Sequence, residues 1–450
     1  MSALPAPPGR RPALAALAGV LAANGLAQTA TRLSSVAIPW FVLAGSGGVR
    51  LTGLVTAAEL APYVLVKAAG GPLVDRIGGR RVSVWGDVLS AAAAGAVSLA
   101  HALGALHWPL LFALVALLGA ARGPGDTAKE VLVPAAAGRA GVRIERATGL
   151  LGTVGRVALV AGPAVAGALI ALFGAPNALL ATAALFAFGA VLVPLSTPRQ
   201  RTDADPASAA PAQPVQPAQP VQPAQPMQPA QSARYREEMA AGWDFLRSDH
   251  LLRAIVGMVA VTNLLDSAMI SVLLPAWIRA HGGSAAQLGL LSSVAGLTSI
   301  AGSLLMTLFG ARLPQRLVLV AGFFLGGAPR FAVLAAGVPL WAVAAVFGCA
   351  GLGAGTLNPL FGTLLYQRVP DRLYGRVMAT VDAGCWIGVP LGGLAGGLAA
   401  TAAGLPGALA LGAAGYLAAT LLPVLRPRFR ELDRPAVRRR LRRPGVRVPE

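Results

Sequence analysis

Gly71-Pro72-Leu73-Val74-Asp75-Arg76-Ile77-Gly78-Gly79-Arg80-Arg81 decides the reading of this chain because of what flanks it: apolar runs at 51–70 and 82–102. Each is about as long as the 20 residues a helix needs to cross the hydrocarbon of a bilayer. A short, basic, glycine-rich turn between two such runs is a loop held on the membrane side where Lys and Arg accumulate.

Outward from that turn, apolar runs near 13–43, 108–127, 148–173 and 177–196 complete six predicted crossings. Runs near 251–278, 286–310, 317–336, 339–366, 377–402 and 405–425 predict six more. The chain has 450 residues, of which 55% are hydrophobic and 12% charged, whereas soluble domains are about a quarter charged. Strand-type alternation is absent, which argues against a barrel. The expected fold class is therefore an all-α membrane protein with twelve transmembrane helices in two six-helix bundles. The expected boundaries are an N-terminal segment 1–12, a first bundle 13–196, a linker 197–250, a second bundle 251–425 and a basic tail 426–450. Within the linker, 202–232 repeats Pro, Ala and Gln, a composition that reads as a disordered or polyproline-like tether. After it, Tyr235, Met239, Trp243 and Leu246 recur at helical spacing, which predicts an interfacial helix.

The net charge of +19 reads as topology. Arg10, Arg11, Arg76, Arg80, Arg81, Arg139, Arg143, Arg146, Arg199, Arg201, Arg312, Arg316, Arg368, Arg372, Arg376 and the tail fall on one side of this threading, and little beyond Arg50 and Arg279 on the other. The positive-inside rule then places both termini and the linker in the cytoplasm of a plasma or inner membrane, behind a retained first helix. Anionic lipid is the expected polyanionic partner of the tail, and no nucleic acid is expected. Trp40, Trp108, Trp277 and Trp341 fall at outer helix ends, as an interfacial belt would require. Cys349 and Cys385 lie inside apolar runs, and the four histidines lack ligand spacing. The glycine-rich stretches sit in membrane helices and follow no strand, so neither a nucleotide loop nor an enzyme is predicted. No cofactor and no metal are expected.

Residues 71–81 closely resemble the signature loop of the major facilitator superfamily, Gly-x-x-x-Asp-Arg-x-Gly-Arg-Arg, with Gly79 where the first of the two final basic residues usually stands. The resemblance implies a conformational latch made of Gly71, Asp75, Arg76, Gly78, Arg80 and Arg81, holding one state and released as the halves rock. Gly162-Pro163 with Gly167 resembles the antiporter helix motif of that superfamily. Arg122-Gly123-Pro124-Gly125-Asp126 distantly resembles a further antiporter motif, although its place at the end of the fourth predicted span favours interface snorkelling. The stretch 234–252, with Val369-Pro370-Asp371-Arg372-Leu373-Tyr374-Gly375-Arg376-Val377, looks like the macrolide-efflux and siderophore-exporter branch of drug:proton antiporters. That branch implies proton-driven export of amphiphilic drugs or natural products, and it also resembles exporters of siderophores and a lysophospholipid transporter. The different class to weigh is a membrane receptor that binds without transporting.

Ionisable groups at membrane depth are costly and hence functional candidates. Glu59 is the first choice for proton coupling and Asp266 the second, with Arg32 or Arg156 as the cation a proton would displace. Asn24, Gln28, Asn263, Phe324, Asn358 and Trp386 are candidate contacts for an amphiphilic small molecule. The expected partners are that substrate, protons and membrane lipid, and the expected carrier is a monomer.

Overall fold

The computed structural model describes residues 10–45, 47–68, 70–197, 240, 242–370 and 373–433. The Pro-Ala-Gln tether, Tyr235, Met239, Arg372 and the tail beyond 433 lie outside the described residues.

Lipid offers no partner to a backbone N–H or C=O, so each apolar run closes its hydrogen bonds internally as a helix. The first six are α1 (Arg10–Ala44), α2 (Gly48–Ala68), α3 (Gly79–Ala102), α4 (Trp108–Arg139), α5 (Ile144–Phe173) and α6 (Ala175–Ser196). Then come α7 (His250–Ala280), α8 (Ala285–Phe309), α9 (Gln315–Ala335) and α10 (Leu340–Arg368). Among the described residues eleven continuous stretches are long and apolar enough to cross a membrane, the last being the 52-residue stretch Tyr374–Leu425. That stretch breaks at Gly404, where φ is 70° and ψ 169°. A left-handed φ is one a glycine adopts without a Cβ clash, so the stretch makes two crossings, α11 (374–403) and α12 (405–425), and the described residues make twelve in all.

Helices α1 to α6 pack among themselves, as do α7 to α12. The two halves meet along two seams, α5 against α8 and α2 against α11. Small residues allow backbone-to-backbone approach at both. In the first seam a methyl added at Gly167 would meet Gly289 Cα at 3.1 Å, and Ser293 Oγ donates to the Val160 carbonyl at 2.7 Å. In the second, a methyl at Gly397 would lie 2.9 Å from the Val49 carbonyl oxygen, and one at Gly393 2.9 Å from Thr56 Cβ.

Every one of these contacts lies in the half of the membrane remote from the chain's N-terminal end. On the terminal side the same helices part: Val157 of α5 and Leu297 and Leu304 of α8 are exposed, and nothing lies within 4 Å of a methyl built at Gly149 or Gly152. At the remote end Arg279 donates to the Ala44 carbonyl at 3.1 Å, drawing the tips of α7 and α1 together. The molecule is thus sealed on the remote side and open on the side that carries α1's N-terminus.

Three local expectations change. The turn at 71–81 folds as a short helix, Gly70–Ile77, whose Val74 is buried with Val82 and Ala128, before Gly78 turns the chain at φ 90°. Trp277 is buried, donating from Nε1 to the Leu334 carbonyl at 2.7 Å and stacking on His281, so it ties α7 to α9 and does not belong to an interfacial belt. Finally, α4 continues twelve residues past the expected end at 127, through Pro134, because neighbouring helices shelter the backbone groups a proline frees.

The second half starts at a defined cap. Asp249 accepts from the amides of Leu251 and Leu252 at 3.0 Å and pairs with Arg368 Nε at 2.8 Å. Burial alone would push this carboxyl up, but the hydrogen bonds from Arg368 and the two amides outweigh it and hold it below the usual range. A depressed carboxyl contributes stability that is present above its unfolded value of about 3.9 and lost as pH falls through the folded value. Asp249→Ala is expected to cost about 1 kcal/mol for the cap alone. Thermal unfolding against pH should show the acid-side loss of wild-type stability shrinking in Asp249→Asn.

Candidate functional site

In the first half, glycines on α4 set the geometry. Gly119 lies so close to the Glu59 backbone that an added methyl would overlap its carbonyl oxygen, and a methyl at Gly123 would sit 2.9 Å from the Tyr63 carbonyl oxygen. This approach brings Arg122 against α2, where Nη1 donates to Glu59 Oε1 at 2.9 Å and the guanidinium lies 4.4 Å from the Tyr63 ring centroid. Both side chains are 4% exposed. Ser34 of α1 stands 3.5 Å from the same Nη1. The partner of Glu59 is therefore Arg122, not Arg32 or Arg156, and Arg122 does not snorkel: α4 runs on past Pro124, so its place is the helix interior.

Two turns further along α4, Lys129 pairs with Asp87 of α3 at 2.6 Å, both almost fully buried. Gly86 and Gly125 make the approach possible, since a methyl at Gly86 would meet Gly125 Cα at 2.9 Å. Lys129 escapes a reading of the sequence that ends α4 at 127. The signal that finds it is the i, i+7 spacing from Arg122, which puts both cations on one helix face.

In the second half Asp266 of α7 pairs with Arg330 of α9 and accepts from the Tyr416 hydroxyl of α12 at 3.4 Å. Gly327 bends α9 around the Tyr416 ring, where any side chain would overlap the ring. Its partner, likewise, is neither Arg32 nor Arg156.

Arg32 lies against Gly162, where a methyl would meet its Cγ at 3.0 Å; the small residue before Pro163 is what admits this side chain between α1 and α5. Gly167, by contrast, serves the seam with α8. Gln28, one turn before Arg32, rests on Gly155, 3.3 Å from a built methyl. Arg156, next along α5, is exposed. Among the described residues the side chains of Arg32 and Arg156 make no hydrogen bond or ion pair, while the Arg32 carbonyl accepts from the Ser35 hydroxyl.

Asn24 is buried, its Nδ2 without a partner among the described residues. Asn263 donates to the Cys385 carbonyl at 2.8 Å and Ser267 to the Val389 carbonyl, so these two close the break in α11 at 387–388. Trp386 is 45% exposed, one turn beyond Asp382, which faces Lys67 of α2 across the open gap. Asn358 is exposed on α10. Phe324 stands apart: α9 packs on α10 and α12, and Phe324 points away from the face formed by Leu319, Gly322 and Phe323. The structure leaves it on the periphery.

The signature residues do not bridge the halves in this state. Asp75 and Arg76 are exposed, with no ion pair among the described residues, and Arg80 donates to the Pro194 carbonyl at 3.4 Å within its own half. No group of His, Cys, Asp and Glu that could hold a metal occurs among the described residues.

A family model described as the Major Facilitator Superfamily matches residues 20–267 and 256–447, and the chain belongs to that superfamily. It is a multi-pass membrane transporter of small molecules and not an enzyme. The "Multidrug efflux pump Tap" of Mycobacterium tuberculosis (strain ATCC 25618 / H37Rv) is 29% identical over 420 residues, 92% of this chain and 94% of that one. Its namesake in Mycolicibacterium fortuitum is 28% identical over 408 residues, 89% and 93% of the two chains. Among solved structures, the nucleoside transporter NupG superposes with a TM-score of 0.66 at 13% identity, covering 90% of this chain and 97% of that one. A POT family transporter gives 0.64 at 13% identity, covering 91% and 95%. These last two share the fold.

Proposed function

We propose that the chain is a proton-coupled exporter of amphiphilic drugs or natural products. In this reading it works as a monomer in the plasma membrane, with both termini in the cytoplasm. The observation that carries coupling is the Glu59–Arg122 pair, a carboxylate and a guanidinium sealed at membrane depth among α1, α2 and α4. Burial opposes charge on the carboxylate while the guanidinium favours it, so a modest change in water access moves the proton on or off. Protonation frees Arg122 and changes the packing of α1, α2 and α4 together. The class of cargo follows from the full-length likeness to pumps named for multidrug efflux. The side rich in arginine, which is the open side here, is then cytoplasmic, and the present state is the one that loads substrate.

The test is accumulation in inverted vesicles. A vesicle energised by a proton gradient is expected to concentrate at least one of a panel of amphiphilic drugs, acidic members included, and collapse of the gradient with a protonophore should release it. Accumulation that survives the protonophore would end the coupling claim, and none under any ion gradient would end the export claim.

A further inference from the structure

The charges at membrane depth do not balance locally. Glu59 is spent on Arg122, Asp87 on Lys129, and Asp266 on Arg330. Around Lys67, at the mouth of the gap, stand Asp126, Glu130 and Asp382. Among the described residues what remains at that depth is Arg32, lying against Gly162 of α5, and Arg156 of α5, next in sequence to the Gly155 on which the Gln28 carboxamide rests. Arg32 lies within electrostatic reach of Asp126 but also of Arg122, and pairs with neither.

Arg156 sits one turn on the terminal side of Val160, whose carbonyl accepts from Ser293 of α8. It therefore projects from the α8-facing side of α5 into the gap where the two helices have parted. Closing that gap would press the guanidinium against α8, a helix containing no Asp or Glu. Nor do α1 and α10 contain any, and the sole acid of α5 is Glu145 in its first turn. A guanidinium keeps its charge at any accessible pH, and burying one without a counter-charge is strongly unfavourable. None of these helices supplies the counter-charge at that depth, and an acidic cargo can.

We infer that Arg156, with Arg32 and Gln28, forms an oxyanion site for the acidic group of an amphiphile, a carboxylate or phosphate carried on an apolar body. The planar fork of arginine suits such a group, and the exposed Trp386 ring across the gap offers an apolar surface. Loading an acid neutralises the wall and permits closure; an empty wall resists it. This inference rests on the exporter reading, whose cargo class it narrows.

Binding to the purified full-length protein tests it without requiring transport. The probes are 11-(dansylamino)undecanoic acid and its methyl ester, which differ by one charge. The acid is expected to bind about tenfold more tightly, equivalent to about 1.4 kcal/mol. Arg156→Gln should erase that preference while Arg156→Lys retains most of it, and Arg32→Gln should weaken it in part. Competition by lysophosphatidylglycerol would assign the site to lipid phosphate, and resistance to it would assign the site to a free carboxylate; both uphold an oxyanion site. Equal binding of acid and ester to the wild type, or a preference that survives both glutamine variants, overturns it. If the preference appears but energised vesicles concentrate neither ethidium nor the acid, the exporter reading fails and the site stands.

Discussion

Arg122→Ala is expected to lower the stability of the protein by about 3–5 kcal/mol, the cost of leaving a carboxylate buried without its counter-charge. Its partner Glu59 is 3% exposed, and among the described residues no other cation is in hydrogen-bond contact with it, so little solvent relieves the charge. The double variant Glu59→Gln/Arg122→Leu, which carries no charge, should recover most of that loss. Thermal unfolding of the purified protein in detergent reads both, and a double variant as unstable as Arg122→Ala would show that the site needs the ion pair itself. Glu59→Gln alone is isosteric and leaves Arg122 a hydrogen-bond acceptor. If Glu59 carries the proton, this variant binds substrate and exchanges it across the membrane at equilibrium, yet fails to concentrate it against a gradient. Proton-driven accumulation that survives in both Glu59→Gln and Asp266→Asn would remove the coupling role from these two carboxylates.

The lengths and positions of the helices are legible in the sequence because one quantity governs them, the hydrocarbon thickness that an apolar run must match. That ruler places eleven of the twelve spans within a few residues at both ends. It fails on α4, which carries on past the expected end at 127 through Pro134 to Arg139, a proline being tolerated in a packed membrane helix. The same error hides Lys129 and moves Arg122 to a helix end. Pairing is less legible than depth. Distance along a helix tells how deep Glu59 or Arg156 lies, but not which way it faces, and the choice among Arg32, Arg122 and Arg156 is a matter of facing. Gly119, Gly123 and Gly86 carry that information, since each marks where α4 meets its neighbour. In a single sequence they are indistinguishable from the many glycines of any membrane helix. Trp277 fails for a related reason: its position matches a belt residue, yet the Leu334 carbonyl draws it inward.

Gly167→Leu should stop transport while sparing the fold of each half. Gly167 sits where α5 crosses α8, with Gly289 Cα 3.1 Å and Ala286 Cα 3.2 Å from a built methyl, and both are backbone atoms that cannot swing aside. A four-carbon side chain there separates the helices on the remote side, where alone they touch in this state. The state open toward the terminal side then loses its seal, and the population shifts to one open on the remote side; moving an equilibrium from 1:99 to 99:1 takes about 5.5 kcal/mol, within reach of such an overlap. Residues around Gly167 that pack within the first half, such as Ala166 and Ile170, are untouched. The readout is a cysteine placed at Gln28 on a background lacking Cys349 and Cys385. A membrane-impermeant maleimide should label it from the terminal side in the parent protein and from the remote side in Gly167→Leu. Gly289→Leu approaches the same contact from α8 and should reproduce the result, which separates loss of the seam from an effect on α5 alone. Unchanged labelling from the terminal side in both variants would mean that the α5–α8 contact does not seal the remote side, and the rocking of the two halves about these seams would have to be abandoned.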